Sequence, residues 1–248
     1  MKLLLTNEVN SDLIKVDRLF QYHLKPWWAD ISKYISEFEK DNTWMNLPSI
    51  VLVAYKYLNL DKDLTLSMTN MFKTAYLANR IHSLIKDEEE GQQYNQELQF
   101  NILIGDYICG KVLKLLLDAK ADHFLQDFSV MMCELSEGMV IEHKLMGEEI
   151  DVLKKTKAVF YSTAFFTAAN FAELNNHEQE IFSKIGLNIG FCLELLNRKS
   201  ASEAIFYAHE AHKLLKYFEQ RVQSKSSLLE KTLNDMTKHV EVANKAVV

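Results

Sequence analysis

Two short stretches of this 248-residue chain carry the residue types that could do chemistry. The first is acidic, Asp87-Glu88-Glu89-Glu90 followed by Gly91. Carboxylates in such a run are the oxygen donors that a hard cation such as magnesium needs. The run closes an apolar-periodic stretch, where negative charge opposes the helix dipole, so its place there wants a reason beyond solvation. A solvated loop is the plain alternative. The second stretch, Asn197-Arg198-Lys199-Ser200-Ala201, brings cations. Other constellations fall short. His209-Glu210-Ala211-His212 is not the His-Glu-x-x-His zinc signature. No Glu-x-x-His pair occurs, which weighs against a di-iron bundle. Cys109, Cys133 and Cys192 lack framework spacing and read as reduced thiols.

The elements that hold these stretches read as helices. The chain is 48% hydrophobic, with only 7 glycines and 2 prolines. Both prolines, Pro26 and Pro48, lie early, and interior proline is what breaks long helices. Apolar residues recur at helical spacing over 8–24, 63–86, 97–118, 121–145, 148–173, 177–197, 200–222 and 226–244. Pro26 is expected to open a helix at its first position. Asp41-Asn42-Thr43 reads as a turn, with a buried helix following over 48–58. The acidic run ends the 63–86 helix, and Asn197 ends that over 177–197. With a net charge of -6 and interspersed basic residues, nothing marks a nucleic-acid footprint. The first residues have too short an apolar run for a signal peptide, and no stretch reaches the roughly 18 apolar residues of a membrane span. The expectation is one all-α domain over 1–248, in a cytoplasmic setting.

Several segments in order then carry a resemblance. Asn101 to Gly110, with Gly105-Asp106-Tyr107 at its centre, is similar to the LxGDYL segment of trans-polyprenyl diphosphate synthases. Glu137-Gly138-Met139-Val140-Ile141-Glu142 is similar to their EGxxxQ, with Glu142 in the glutamine place. Ser162-Thr163-Ala164 resembles KTA, with Ser162 in the lysine place. Gly186-Leu187-Asn188-Ile189-Gly190-Phe191-Cys192-Leu193-Glu194 resembles GxxLGxAFQ. The acidic run then stands at the first DDxxD motif and Asn197-Arg198 at the second. Thr43 to Pro48 lines up with GKRLRP but carries no cation, and Gln92-Gln93 falls where an arginine pair is expected. The Asn/Ser metal motif of class I terpene synthases fits less well, since Ala201 and Ile205 occupy its serine and glutamate places.

The resemblance implies the all-α isoprenoid synthase (terpenoid synthase) bundle. It also implies a chain whose metal ligands are degraded: Asp87, Glu88, Glu89 and Glu90 blur the first motif, and Asn197 and Arg198 void the second. No catalytic residue and no cofactor are then assigned to this chain, and Mg2+ is expected in a catalytic partner. The implied role is the small, non-catalytic subunit of a heterodimeric heptaprenyl or hexaprenyl diphosphate synthase, which pairs with a catalytic large subunit in menaquinone side-chain synthesis. Pairing is expected on the 97–118 helix and its neighbour at 121–145, through Ile102, Leu103, Ile108, Val112, Leu113, Leu115, Leu116 and Leu117. A homodimer of the isolated chain is the other assembly. Two rival readings are a divergent magnesium-dependent prenyltransferase or terpene synthase, and a helical interaction protein that shares only the architecture.

Overall fold

The computed structural model describes residues 7–38, 40–84, 96–145, 147–222 and 226–245, and no strand occurs among them. Helix α1 (Asn7–His23) turns Val9, Val16 and Phe20 inward, seven and four residues apart on one face. Buried Asp12 shares that face, tied to Lys56 at 2.7 Å and Lys15 at 2.9 Å. Helix α2 (Trp28–Ile35) begins two residues beyond Pro26, which sits in the preceding turn rather than at a first helical position.

Asp41-Asn42-Thr43 is not a turn. It is the cap and first turn of α3 (Asn42–Tyr57), where the Asp41 carboxylate accepts the Trp44 amide at 3.0 Å. Pro48 therefore lies inside α3. Its missing N–H forfeits one ladder bond. The helix holds because everything from Leu47 to Tyr55 is buried, so packing overrides propensity. Helix α4 (Lys62–His82) is capped by Asp61, which accepts from the amides of Asp63 and Leu64.

Then follow α5 (Gln96–Asp118), α6 (Leu125–Val140), α7 (Glu149–Leu153), α8 (Val159–Phe171), α9 (Asn176–Asn197), α10 (Ala201–Glu219) and α11 (Leu228–Lys245). Two π-helical turns, Ile141–Leu145 and Lys154–Ala158, flank α7 on either side. Asn175 opens α9 with a reciprocal cap, its side chain taking the Glu178 amide while Glu178 takes the Asn175 amide.

Helix α9 packs on both α8 and α10, and α4 on both α3 and α5. Phe182 of α9 is the hub, with ring centroids 4.7 Å from Phe165 and 5.0 Å from Phe218. Gly186 and Gly190 let α9 close on α8. A Cβ at Gly186 would lie 2.5 Å from the Tyr161 carbonyl oxygen, and one at Gly190 2.9 Å from Ala158 Cα. Phe72, Met131 and Phe165 are enclosed in the core, while Phe100 and Phe166 are half-buried.

Helix α5 divides the apolar residues proposed for pairing. Ile108, Val112, Leu115 and Leu116 are buried in the chain's own bundle. Ile102, Leu103, Leu113 and Leu117 face outward, Leu103 at 66% exposure. Leu103, Asp106, Gly110, Leu113 and Leu117 follow one another three and four apart, so they form one stripe. On α6, Leu125, Val130 and Val140 are likewise exposed.

Four helices end on a left-handed residue that is not glycine: Asn59, Lys120, Glu173 and Lys199. In each case the next amide reaches back to close a Schellman turn, as Ser200 N does to the Leu195 carbonyl at 3.0 Å.

Candidate functional site

Lys199 decides the geometry of the second motif. Carboxylates at positions i and i+4 can share a metal only on one face of a continuing helix. Here α9 stops at Asn197, Arg198 is its C-cap, Lys199 turns left-handed at φ 63°, and Ala201 already belongs to α10. Residues 197 and 201 thus lie on different helices. Arg198 pairs outward with Glu149 at 2.5 Å. Two cations and an interrupted helix do not fit magnesium at this position. Asp87, Glu88, Glu89 and Glu90 lie outside the described residues.

One turn back along α9, the chain builds its polar centre. Four elements meet there: the start of α3, the end of α4, the π turn Lys154–Ala158, and α9. Asp41 sits in the middle. Tyr76 donates its hydroxyl to both Asp41 oxygens, at 2.7 and 2.8 Å. Arg80 Nε lies 3.0 Å and Lys157 Nζ 3.3 Å from Asp41 Oδ2. Lys157 also bonds the Tyr76 oxygen and covers its ring, 4.9 Å from the centroid. Beside this group Thr43 donates to Glu194 Oε1 at 2.5 Å, and Asn42 donates to the Leu193 carbonyl at 2.7 Å. The fully buried Tyr161 places its hydroxyl against the Thr43 side chain, close to the Glu194 charge.

The titrations follow from burial and charge. Burial pushes the Asp41 carboxyl up. The charge of Lys157, the Trp44 amide, the Tyr76 hydroxyl and Arg80 together outweigh it and hold Asp41 below its ordinary value. Burial pulls the Lys157 ammonium down, and the attraction of Asp41 and Glu194 does not fully restore it. Glu194 is raised, again chiefly by burial, against the opposing pull of Lys157 and the Thr43 hydroxyl. Tyr76 and Tyr161 are pushed well above the ordinary phenol range by burial first and by neighbouring carboxylates second.

The sequence motifs divide on this map. Glu194 and Thr43 reach the centre. Ser162 does not: its hydroxyl bonds back to the Val159 carbonyl at 3.0 Å. The lysine that does reach the centre is Lys157, five residues earlier. The cations of this centre are Arg80 and Lys157, while Thr43 to Pro48 contribute none. Asp106 faces outward beside His82 at 3.6 Å, and Tyr107 donates to the Lys25 carbonyl at 3.1 Å. Glu137 pairs with Lys155 at 2.8 Å, and Glu142 is exposed on the first π turn.

Solved structures share this arrangement of helices. A decaprenyl diphosphate synthase from Rhodobacter capsulatus superposes with a TM-score of 0.62 at 13% identity, covering 96% of this chain and 86% of that one. The chain has the trans-prenyl diphosphate synthase fold. A chain of a deletion mutant of the mint heterotetrameric geranyl pyrophosphate synthase, solved with ligands, gives 0.65 at 12% identity over 95% and 99% of the two chains. The geranyl diphosphate synthase small subunit of Antirrhinum majus gives 0.62 at 13%, over 93% and 100%. At such identities the likeness carries the fold alone. No protein-family model matches the sequence, and no curated protein is similar to it in sequence. Among the described residues, no helix of this prenyl-synthase fold is long and apolar enough to cross a membrane.

Proposed function

We propose that this chain is a non-catalytic subunit of a heteromeric all-trans polyprenyl diphosphate synthase, completing and tuning a catalytic large subunit. The observation that carries the reading is the end of α9. Where two carboxylates would have to share one helix face, the chain has Asn197, a cationic cap and a left-handed turn. Without a second carboxylate wall, the several kcal/mol of charge stabilisation that metal gives a departing diphosphate is lost. Magnesium then belongs to the partner.

Two of the structural neighbours support a subunit role by their own descriptions, a heterotetrameric synthase and a small subunit. The outward stripe of α5 supports association, since a row of leucines in water is an unusual use of a well-packed helix. Within this reading the substrates handled by the assembly are farnesyl and isopentenyl diphosphates, the product is a heptaprenyl- or hexaprenyl-length chain for menaquinone, and the setting is cytoplasmic.

The test is turnover. The chain alone, given both diphosphates and magnesium, is expected to make no product above a no-protein control. Mixed with a prenyl diphosphate synthase chain bearing both acidic motifs, it is expected to raise synthesis or change product length. Magnesium-dependent product from the chain alone overturns the reading.

A further inference from the structure

A cavity of about 580 Å3 opens where α1, the last turn of α3, the first turn of α4 and the start of α11 meet. Lys56 lies near the end of α3 and Lys62 begins α4, whereas the polar centre takes the opposite end of both helices, roughly 20 Å away. The charge of the cavity is one-sided. Lys56, Lys62 and Lys231 line it, each from a different helix, against the single carboxylate of Asp12. Asp12 is buried and held by Lys56 at 2.7 Å and Lys15 at 2.9 Å, with Lys62 at 3.7 Å. One of these cations is enough to neutralise it. Lys231 has no ion pair among the described residues. Asp61, on the adjoining loop, is engaged by the Asp63 and Leu64 amides. Gathered ammoniums repel one another, so an anion between them is worth more than one that meets a lone surface lysine. The N-terminus of α11 opens on the same space. Its ladder begins with the Lys231 amide on the Ser227 carbonyl at 3.0 Å, so the Leu229 and Glu230 amides have no helical partner, and that of Leu228 meets the Ser226 hydroxyl at 3.3 Å.

We infer that this cavity binds a small phosphate-bearing anion, at a place separate from the polar centre. Three ammoniums against one carboxylate leave two positive charges, which a phosphate dianion cancels. The first amides of α11 supply the uncharged donors that phosphate oxygens accept. The volume falls in the range of about 300–1,000 Å3 that holds small organic ligands, more than a bare phosphate fills. Tyr57, Leu60 and Leu228 add an apolar wall beside the lysines. That lining suits a phosphate ester better than the free ion. A bound dianion would tie α11 to the ends of α3 and α4. The inference concerns this chain by itself and does not depend on its having a catalytic partner.

The test reads both affinity and place. Thermal unfolding of the full chain is followed in glycerol 3-phosphate, in inorganic phosphate and in pyrophosphate, with chloride at matched ionic strength as the reference. A saturable rise in Tm is expected, roughly 5–10 °C at about a hundredfold excess of ligand over its Kd. Lys62 and Lys231 are exposed, so Lys62→Gln combined with Lys231→Gln should leave Tm in chloride unchanged. The same pair of changes should raise the concentration needed for the gain by about tenfold or more. Hydrogen exchange on the wild-type chain locates the ligand without any variant: amides at 228–230 should be slowed. A larger response to glycerol 3-phosphate than to inorganic phosphate assigns the site to an ester, the reverse to the free ion, and either sustains the inference. If no phosphate compound raises Tm beyond chloride, the inference is overturned. It is overturned equally if the gain survives Lys62→Gln with Lys231→Gln undiminished, or if exchange slows at the start of α3 and not at 228–230.

Discussion

Leu103→Glu combined with Leu113→Glu tests the α5 stripe as a partner surface. Fully burying a leucine is worth about 1.5–3 kcal/mol. Leu103 and Leu113 are 66% and 53% exposed, so a partner that covers them has roughly 2–4 kcal/mol to gain from the pair. Losing that alone weakens association by roughly 30- to 1000-fold. Two carboxylates trapped without partners in an apolar interface would add several kcal/mol more. In the free chain both positions face water on an intact helix, and such surface changes usually stay within about 0.5 kcal/mol. The assay is sedimentation velocity and co-purification with a catalytic prenyl synthase chain, alongside far-UV circular dichroism and prenyl transfer. Pairing and stimulated synthesis should be lost, with helicity and Tm unchanged. Retention of both, within threefold of wild type, refutes the assignment. So does a fall in Tm of 10 °C or more, roughly 3–5 kcal/mol for a chain this long, because it would mean that the stripe is core.

The polar centre and the helix contacts yield three more expectations. Glu194 is raised in the folded state, so its contribution is full below the ordinary glutamate value of 4.5 and is lost as pH rises through the folded value; Glu194→Gln should therefore raise Tm at pH 8 and leave it unchanged near pH 4, and an equal shift at both would contradict the burial argument. Gly186→Ala drives a methyl to within 2.5 Å of the Tyr161 carbonyl oxygen and 2.7 Å of the Phe165 ring, so urea unfolding should report a loss of about 1–3 kcal/mol, whereas Gly110→Ala meets nothing within 4 Å and should gain about 0.5–1 kcal/mol of helix propensity. Glu173→Gly relieves a left-handed residue at φ 56° and is expected to stabilise by about 1 kcal/mol; a destabilised variant would mean that the side chain earns its place by a contact.

The helices were legible because their signals are local. The reciprocal cap of α9 is written in Asn175 and Glu178, and the polar break at 175–177 marks its start. The periodicity over 97–118 matches α5, Gln96–Asp118, to within a residue. That 197–201 carries cations and no carboxylate is equally plain, since Arg198 and Lys199 are cations wherever they lie. What periodicity does not encode is convergence. Asp41 meets Lys157 across 116 residues of sequence, and Thr43 meets Glu194 across 151. Asp41 reads as turn because aspartate favours turns and caps alike. Lys157 is one lysine of three, with Lys154 and Lys155, and the π turn that holds it shifts the helical phase by which an inward position would be recognised. Ser162, small and polar before Thr163-Ala164, stands in the lysine's place of the KTA resemblance, but its hydroxyl bonds only within its own helix.

The paired π turns give the chain something its other helices lack, which is slack. A π turn is an α-helix that has absorbed one residue too many. Ile141–Leu145 and Lys154–Ala158 therefore each hold a spare residue, one on either side of the short α7. Dropping a single residue from 154–156 would let that turn tighten to α while α7 and α8 both keep their faces, so that Val152 and Leu153 stay buried. The same deletion inside α9 would swing Gly186 and Gly190 off the α8 contact. Length variation in this bundle is thus expected to collect at the α6–α8 corner, an expansion joint beside a frame that tolerates none.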